Sequence, residues 1–308
     1  MQEDEEALDT YDVQTWEVRG PLDRAAVVVD ALFHGRWTWF VGALAVVLLL
    51  AQFAVDALVV ATSPFVALFT GLSVVPALAL AAWVYRLSEE NEPIRTLAVT
   101  FVLGALFANF AALFDSAAGR VVTAVPVVGL TLFYFLFVGP VEEGVKWLAV
   151  RLWAYRRSTF DHVVDGAVYG AAAGLGFASI ENVIYVGSHV VAVANAAHSQ
   201  SVLAATLDIA SVRALAGPGH VIYSTFAGYY LGLAKYNPGQ RGPIVVKGLL
   251  VAAGVHGLYD TLVSLPFFAS PLAFFGFVVV FDGFFGLLIY RKLARYRRTR
   301  HRLDAMRA

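Results

Sequence analysis

Apolar runs of about 20 residues recur along this chain, the length at which an α-helix crosses about 30 Å of hydrocarbon. A water-soluble domain has no interior large enough to hide so many. Of 308 residues, 59% are hydrophobic and 15% charged, far from the balance of a soluble fold. The runs predict an all-α polytopic membrane helical bundle of about eight transmembrane helices, over residues 37–61, 64–87, 96–117, 131–153, 163–187, 213–235, 243–265 and 271–290. They divide the chain into a polar tail, 1–36, a membrane domain, 37–290, and a basic tail, 291–308. Within the first tail, 22–33 is amphipathic and suited to the membrane interface. Residues 121–155 are too many for one straight crossing, so either Pro126 and Pro140 bend the segment or its start lies at the interface.

Charge placement orients the bundle. With eight spans, Arg86, Arg95, Arg151, Arg156, Arg157, Lys235, Arg241, Lys247 and the basic tail fall on one side, against Arg120 and Arg213 on the other. The positive-inside rule then expects both termini in the cytoplasm of a protein integral to the cell (plasma) membrane. The absence of cysteine excludes disulfides, cysteine-ligated zinc and a thiol nucleophile. No apolar core precedes Trp37, so no cleavable signal peptide is expected. Nucleic-acid binding has no support beyond the short basic tail.

Against this background the stretch 139–147, Gly-Pro-Val-Glu-Glu-Gly-Val-Lys-Trp, stands out. A charge near a bilayer centre costs about 2.5–3.5 kcal/mol on insertion scales, so Glu142, Glu143 and Lys146 need a reason. Helical spacing puts Glu142 and Lys146 on one face, with Glu143 expected to point elsewhere. The bland reading is a structural ion pair. Glu181, His220, His256 and Asp260 interrupt later spans. At about 1.5 Å per residue, these four and Glu142 are expected to share the outer half of the bilayer, which scattered ion pairs would not do.

Two histidines and a carboxylate on separate helices form a three-ligand zinc site with an open water position, and a further glutamate can deprotonate that water. Asp260, one turn after His256, is spaced to fix that ring's tautomer. Gly166, Gly170 and Gly174 recur every fourth residue without the strand or spacing of a nucleotide loop, which predicts a close helix contact instead. Asp56, Asp115 and Asp165 are expected at interfaces, and Asp282 within a span.

The ordered motifs resemble the PrsW-type intramembrane protease family. They are Glu142-Glu143-x-x-Lys146, then Asp165-Gly-Ala-Val-Tyr-Gly, Phe177-x-x-x-Glu181-Asn182, Arg213 ahead of His220, and His256-x-x-x-Asp260, all within residues 130–265. The family is related to CAAX prenyl endopeptidases and abortive-infection membrane proteases, which carry histidine where this chain has Glu181 and asparagine where it has Asp260. The resemblance implies cleavage of a membrane-anchored substrate, either a single-pass protein of the anti-sigma-factor kind or a lipid-anchored peptide. It implies that Glu142 activates water with support from Glu143, and that His220 and His256 act at the reaction centre. Lys146, Asn182, Arg213 and Asp260 would support them. Glu181, His220 and His256 are the expected Zn2+ ligands, unless the histidines stabilise an oxyanion in a metal-free glutamate mechanism. The same buried groups would also suit a proton- or cation-coupled transporter. A third reading is an inactive relative that only binds membrane partners.

Overall fold

The computed structural model describes residues 9–33, 64–88, 92–122, 128–195 and 201–307, with positions 47, 50, 51 and 54. The expected span 37–61 lies almost wholly outside these residues, and Asp56 and Pro126 lie outside them too. The described chain is helical, with no strand. In order it forms α1 (Pro21–Phe33), α2 (Pro64–Ser73), α3 (Val75–Tyr85), α4 (Ile94–Val122), α5 (Gly129–Phe133), α6 (Gly139–Leu152), α7 (Val163–Asn195), α8 (Val202–Tyr236), α9 (Arg241–Val263) and α10 (Pro271–Arg307).

Among the described residues, five helical segments are long and apolar enough to cross a membrane: Pro64–Tyr85, Ile94–Arg120, Val163–Val193, Pro238–Val263 and Pro271–Leu303. The other two expected spans, 131–153 and 213–235, are helical but less apolar, the first through Glu142, Glu143, Lys146 and Arg151 and the second through its glycines, tyrosines, Pro218 and His220, and the reason is their place in the bundle. Residues 219–234 of α8 are all buried, so α8 is the central helix. Its polar groups face protein rather than lipid, which is how ionisable residues are tolerated at membrane depth. The long connection expected over 188–212 is largely helix, because α7 runs on to Asn195 and α8 starts at Val202. Ser201 caps that start, its Oγ accepting the Ala204 N–H at 3.2 Å. The basic tail likewise continues α10 to Arg307.

Two local features aim the site. The segment 121–155 is divided by a π-helical turn, Tyr134–Val138, where Gly139 N–H donates to the Tyr134 carbonyl five residues back. Pro140 follows in the first turn of α6 and has no N–H to continue the α pattern, so the wider turn absorbs the mismatch one turn before Glu142. The glycine series of α7 meets α8 backbone to backbone: a Cβ on Gly166 would overlap the Gly228 carbonyl, and one on Gly174 the His220 carbonyl. That approach brings the Glu181 end of α7 beside His220.

Residues 10–20 fold back onto the bundle, burying Val13 and Trp16 in the main core. Asp12 adopts a positive φ of 61°, which aspartate tolerates better than most residues. Its main-chain carbonyl accepts the Tyr229 hydroxyl at 2.8 Å, and its carboxylate accepts the Tyr230 hydroxyl at 3.0 Å and pairs with Lys247 at 3.3 Å and with Lys292. Asp23 of α1 pairs with Lys247 at 2.7 Å and accepts the Tyr11 hydroxyl, also at 2.7 Å. This clamp ties the N-terminal segment to α8, α9 and α10.

Candidate active site

Glu142, Glu181, His220, His256 and Asp260, which come from α6, α7, α8 and α9, line one cavity of about 440 Å³. The convergence expected from their depths is therefore present. Glu143 is the first departure: it turns inward, fully buried, and its Oε1 lies 2.7 Å from Lys146 Nζ. At i,i+3 it shares the lysine's face as Glu142 does at i,i+4, and Glu142 Oε2 is farther from the ammonium, at 3.3 Å. Lys146 also contacts His220 Nδ1 at 2.9 Å and lies 3.9 Å from the centre of the Phe177 ring. Phe177 thus packs against the lysine one turn before Glu181.

Each histidine has one nitrogen held by a carboxylate and the other turned toward Glu142. His220 Nε2 is 2.6 Å from Glu181 Oε2, and its Nδ1 is 3.8 Å from Glu142 Oε2. His256 Nδ1 is 3.0 Å from Glu143 Oε1, and its Nε2 is 3.7 Å from Glu142 Oε2. An ionised carboxylate only accepts, so Glu181 and Glu143 take the ring N–H; the opposite nitrogen of His220 then accepts from Lys146, and that of His256 keeps its lone pair on the cavity side. The rings cross at 89° with centroids 5.2 Å apart. The expected tautomer role of Asp260 passes to Glu143: Asp260 Oδ2 lies 3.5 Å from Nε2, on the cavity side of the ring.

One carboxylate oxygen and two imidazole nitrogens, from Glu142, His220 and His256, lie within 4.8 Å of one another. This is the donor chemistry of a mononuclear zinc site, and the carboxylates behind both rings are the partners that orient metal-bound histidines. The grouping differs from the expected ligand set. Glu181 stands behind His220 instead, because Arg213 Nη2 and His220 Nε2 both approach its Oε2 at 2.6 Å. Arg213 Nε donates to Asn182 Oδ1 at 2.9 Å, and Asn182 Nδ2 donates to Ser73 Oγ at 2.8 Å, anchoring the outer rank of the site to α2.

The sequence reading missed Asp115, Ser224, Tyr223 and Tyr259. Ser224, one turn after His220, donates to Glu143 Oε2 at 3.4 Å. Tyr223 and Tyr259 line the cavity with buried hydroxyls that lack a hydrogen-bond partner among the described residues, and Asp115 Oδ1 lacks one as well. Asp115 had been expected at an interface. Its acidic side chain on the fourth helix was the available signal.

Residues 92–285 match the family described as PrsW family intramembrane metalloprotease. The chain is 30% identical over 195 residues to Protease PrsW of Bacillus subtilis (strain 168), covering 62% of this chain and 80% of that protein. It is 27% identical over 226 residues to Protease PrsW of Oceanobacillus iheyensis, covering 73% of this chain and 93% of that protein. No solved structure matches the chain.

Proposed function

The chain belongs to the PrsW family of intramembrane metalloproteases, and from that premise we propose that it hydrolyses one peptide bond of a membrane-anchored substrate, with Glu142 as general base. The substrate would be a single-pass protein of the anti-sigma-factor kind or a lipid-anchored peptide. One observation carries this reading: both imidazoles are pinned from behind by carboxylates and turn their other nitrogens toward the same Glu142 oxygen, at 3.7 and 3.8 Å. Membership of a protease family sets aside the transporter alternative.

In the proposed reaction a water beside Glu142 loses a proton to its carboxylate as the oxygen attacks the scissile carbonyl carbon. The carbon–nitrogen bond then breaks, and Glu142 returns the proton to the departing amine. Glu143 and Glu181 keep the two rings oriented. Lys146, held by Glu143 at 2.7 Å, limits the repulsion between adjacent carboxylates. Zn2+ held by Glu142, His220 and His256 would supply Lewis-acid polarisation of the water and carbonyl. A carboxylate giving one oxygen to a cation keeps the other as a proton acceptor, so the ligand and base roles of Glu142 are compatible. The lysine and arginine asymmetry supports cytoplasmic termini in the cell membrane, with the site in the outer half of the bilayer.

Metal analysis of the purified protein tests the centre, with wild type measured beside His220→Ala/His256→Ala. About one zinc per chain, lost in the double variant, is expected of a three-ligand site. Zinc-free wild type that still cleaves, never exposed to chelator, would leave Glu142 as base and remove the metal assignment.

A further inference from the structure

The catalytic cavity does not end at Glu142. A second cavity of about 200 Å³ lies between α4, α6 and α7, and four residues, Asp115, Glu142, Glu181 and Tyr185, line both. The two chambers differ in lining as well as size. The smaller is walled on the α4 side by Ala108, Ala112 and Ser116, and on the α7 side by Phe177, Ile184 and Ser188. The larger, about 440 Å³, is walled by aromatic rings including Phe133, Tyr134, Tyr259 and Phe274. Between them sits Asp115, whose buried Oδ1 has no hydrogen-bond partner among the described residues. An orphaned acceptor at the junction of two cavities is a cost that a bound donor would relieve.

We propose that the two cavities are opposite sides of one substrate groove, occupied by an extended stretch of polypeptide that crosses Glu142. A small side chain (glycine, alanine or serine) occupies the α4–α7 chamber, and a bulky apolar or aromatic one the α9–α10 chamber. Asp115 accepts a backbone N–H of the bound chain and holds its register over Glu142. Ala108 and Ala112 are the specificity-determining residues, because any larger side chain there fills the smaller chamber. This inference rests on the peptide-hydrolysis reading and names the substrate class that reading leaves open.

The test uses full-length protein in bicelles and a quenched-fluorescence library of apolar peptides, pairing Gly, Ala, Ser, Leu and Phe across two adjacent positions. Mass spectrometry locates the cuts. Wild type is expected to cut with Gly, Ala or Ser on one fixed side and Leu or Phe on the other. Ala112→Phe is expected to lower kcat/KM at least about tenfold, the scale on which pockets discriminate by size. Ala112→Gly, which guards against misfolding of the bulky variant, is expected to extend the accepted set to Leu on the small side. Asp115→Ala is expected to raise KM about tenfold with little change in kcat, the loss of one buried hydrogen bond, and Asp115→Asn, which keeps an Oδ1 acceptor, to recover most of it. Cutting without size preference, or an unchanged pattern in Ala112→Gly, would overturn the groove while leaving peptide hydrolysis intact. Failure of wild type to cut any member would overturn the hydrolysis reading itself.

Discussion

Two buried charge clusters in this molecule use the same residue types to opposite ends. The N-terminal clamp sets Asp12 and Asp23 against Lys247 and Lys292, and adds the hydroxyls of Tyr11, Tyr229 and Tyr230 as donors. Acid and base balance there. The candidate active-site cluster sets Glu142, Glu143, Glu181, Asp260 and Asp115 against the permanent cations Lys146 and Arg213 and two histidines, around a cavity. Carboxylates exceed permanent cations, and Asp115 Oδ1 and the hydroxyls of Tyr223 and Tyr259 have no partner among the described residues. A cluster that only holds helices together closes its charge balance internally. One prepared for chemistry leaves acceptors open for a water, a cation or a substrate.

The contrast is most exposed to test at Glu142. Glu142→Gln is expected to reduce peptide cleavage by about 10²–10⁴, the usual contribution of a general base, without lowering Tm, since it removes a charge from an acid-rich cluster. Cleavage is followed by fluorescence and Tm by thermal unfolding in detergent. A large drop in Tm would make Glu142 a structural group like Asp12 and dissolve the distinction. Lys146→Met strikes the one feature the clusters share, a lysine bridging two carboxylates. Leaving Glu143 buried beside Glu142 without the ammonium is expected to cost about 3–5 kcal/mol of stability, measured by chemical denaturation. Unchanged stability would mean that a proton or a metal ion already balances the acids there.

How far this was visible in the sequence follows from what each signal depends on. Apolar runs and isolated polar interruptions are local, so the helical membrane class and the convergence of Glu142, Glu181, His220, His256 and Asp260 could be read directly. The facing of Glu143 could have been read as well, because it stands three residues before Lys146 and i,i+3 neighbours share a helix face. Asp115 reads as interfacial from its place near the end of the span 96–117, whereas α4 continues to Val122 and the carboxylate lines the cavity wall. The ligand grouping depended on Arg213, 32 residues from Glu181 in sequence, which claims that carboxylate and leaves Glu142 to face both rings. The clamp left no local trace: Asp12 meets Lys292 across 280 residues.

The clamp gives the converse prediction, with a smaller effect. Asp12→Asn weakens the pairing of Lys247 and Lys292 with their shared carboxylate and is expected to cost about 1–3 kcal/mol, reduced by partial exposure, while the peptide-cleavage rate stays at the wild-type value. A matching loss of kcat would mean that the clamp transmits to the cavity.

The smallest effect is a pH dependence confined to the clamp. Burial disfavours the charge on Asp23, but Lys247, the Tyr11 hydroxyl and the N–H groups of Gly20 and Arg19 outweigh it and hold the carboxyl down to about 2. Asp12 is lowered as well, with Lys292 and Lys247 prevailing over burial. A folded value below the unfolded one, about 3.9 for aspartate, means the stabilisation is complete at neutral pH and is lost as pH falls through about 4 toward 2. The Tm difference between wild type and Asp23→Asn should therefore be constant from pH 7 to 5 and shrink below pH 4. A gap that persisted to pH 2 would show that Asp23 acts through packing and its hydrogen bonds rather than its charge. The clamp would then no longer be the charge-balanced counterpart of the active site.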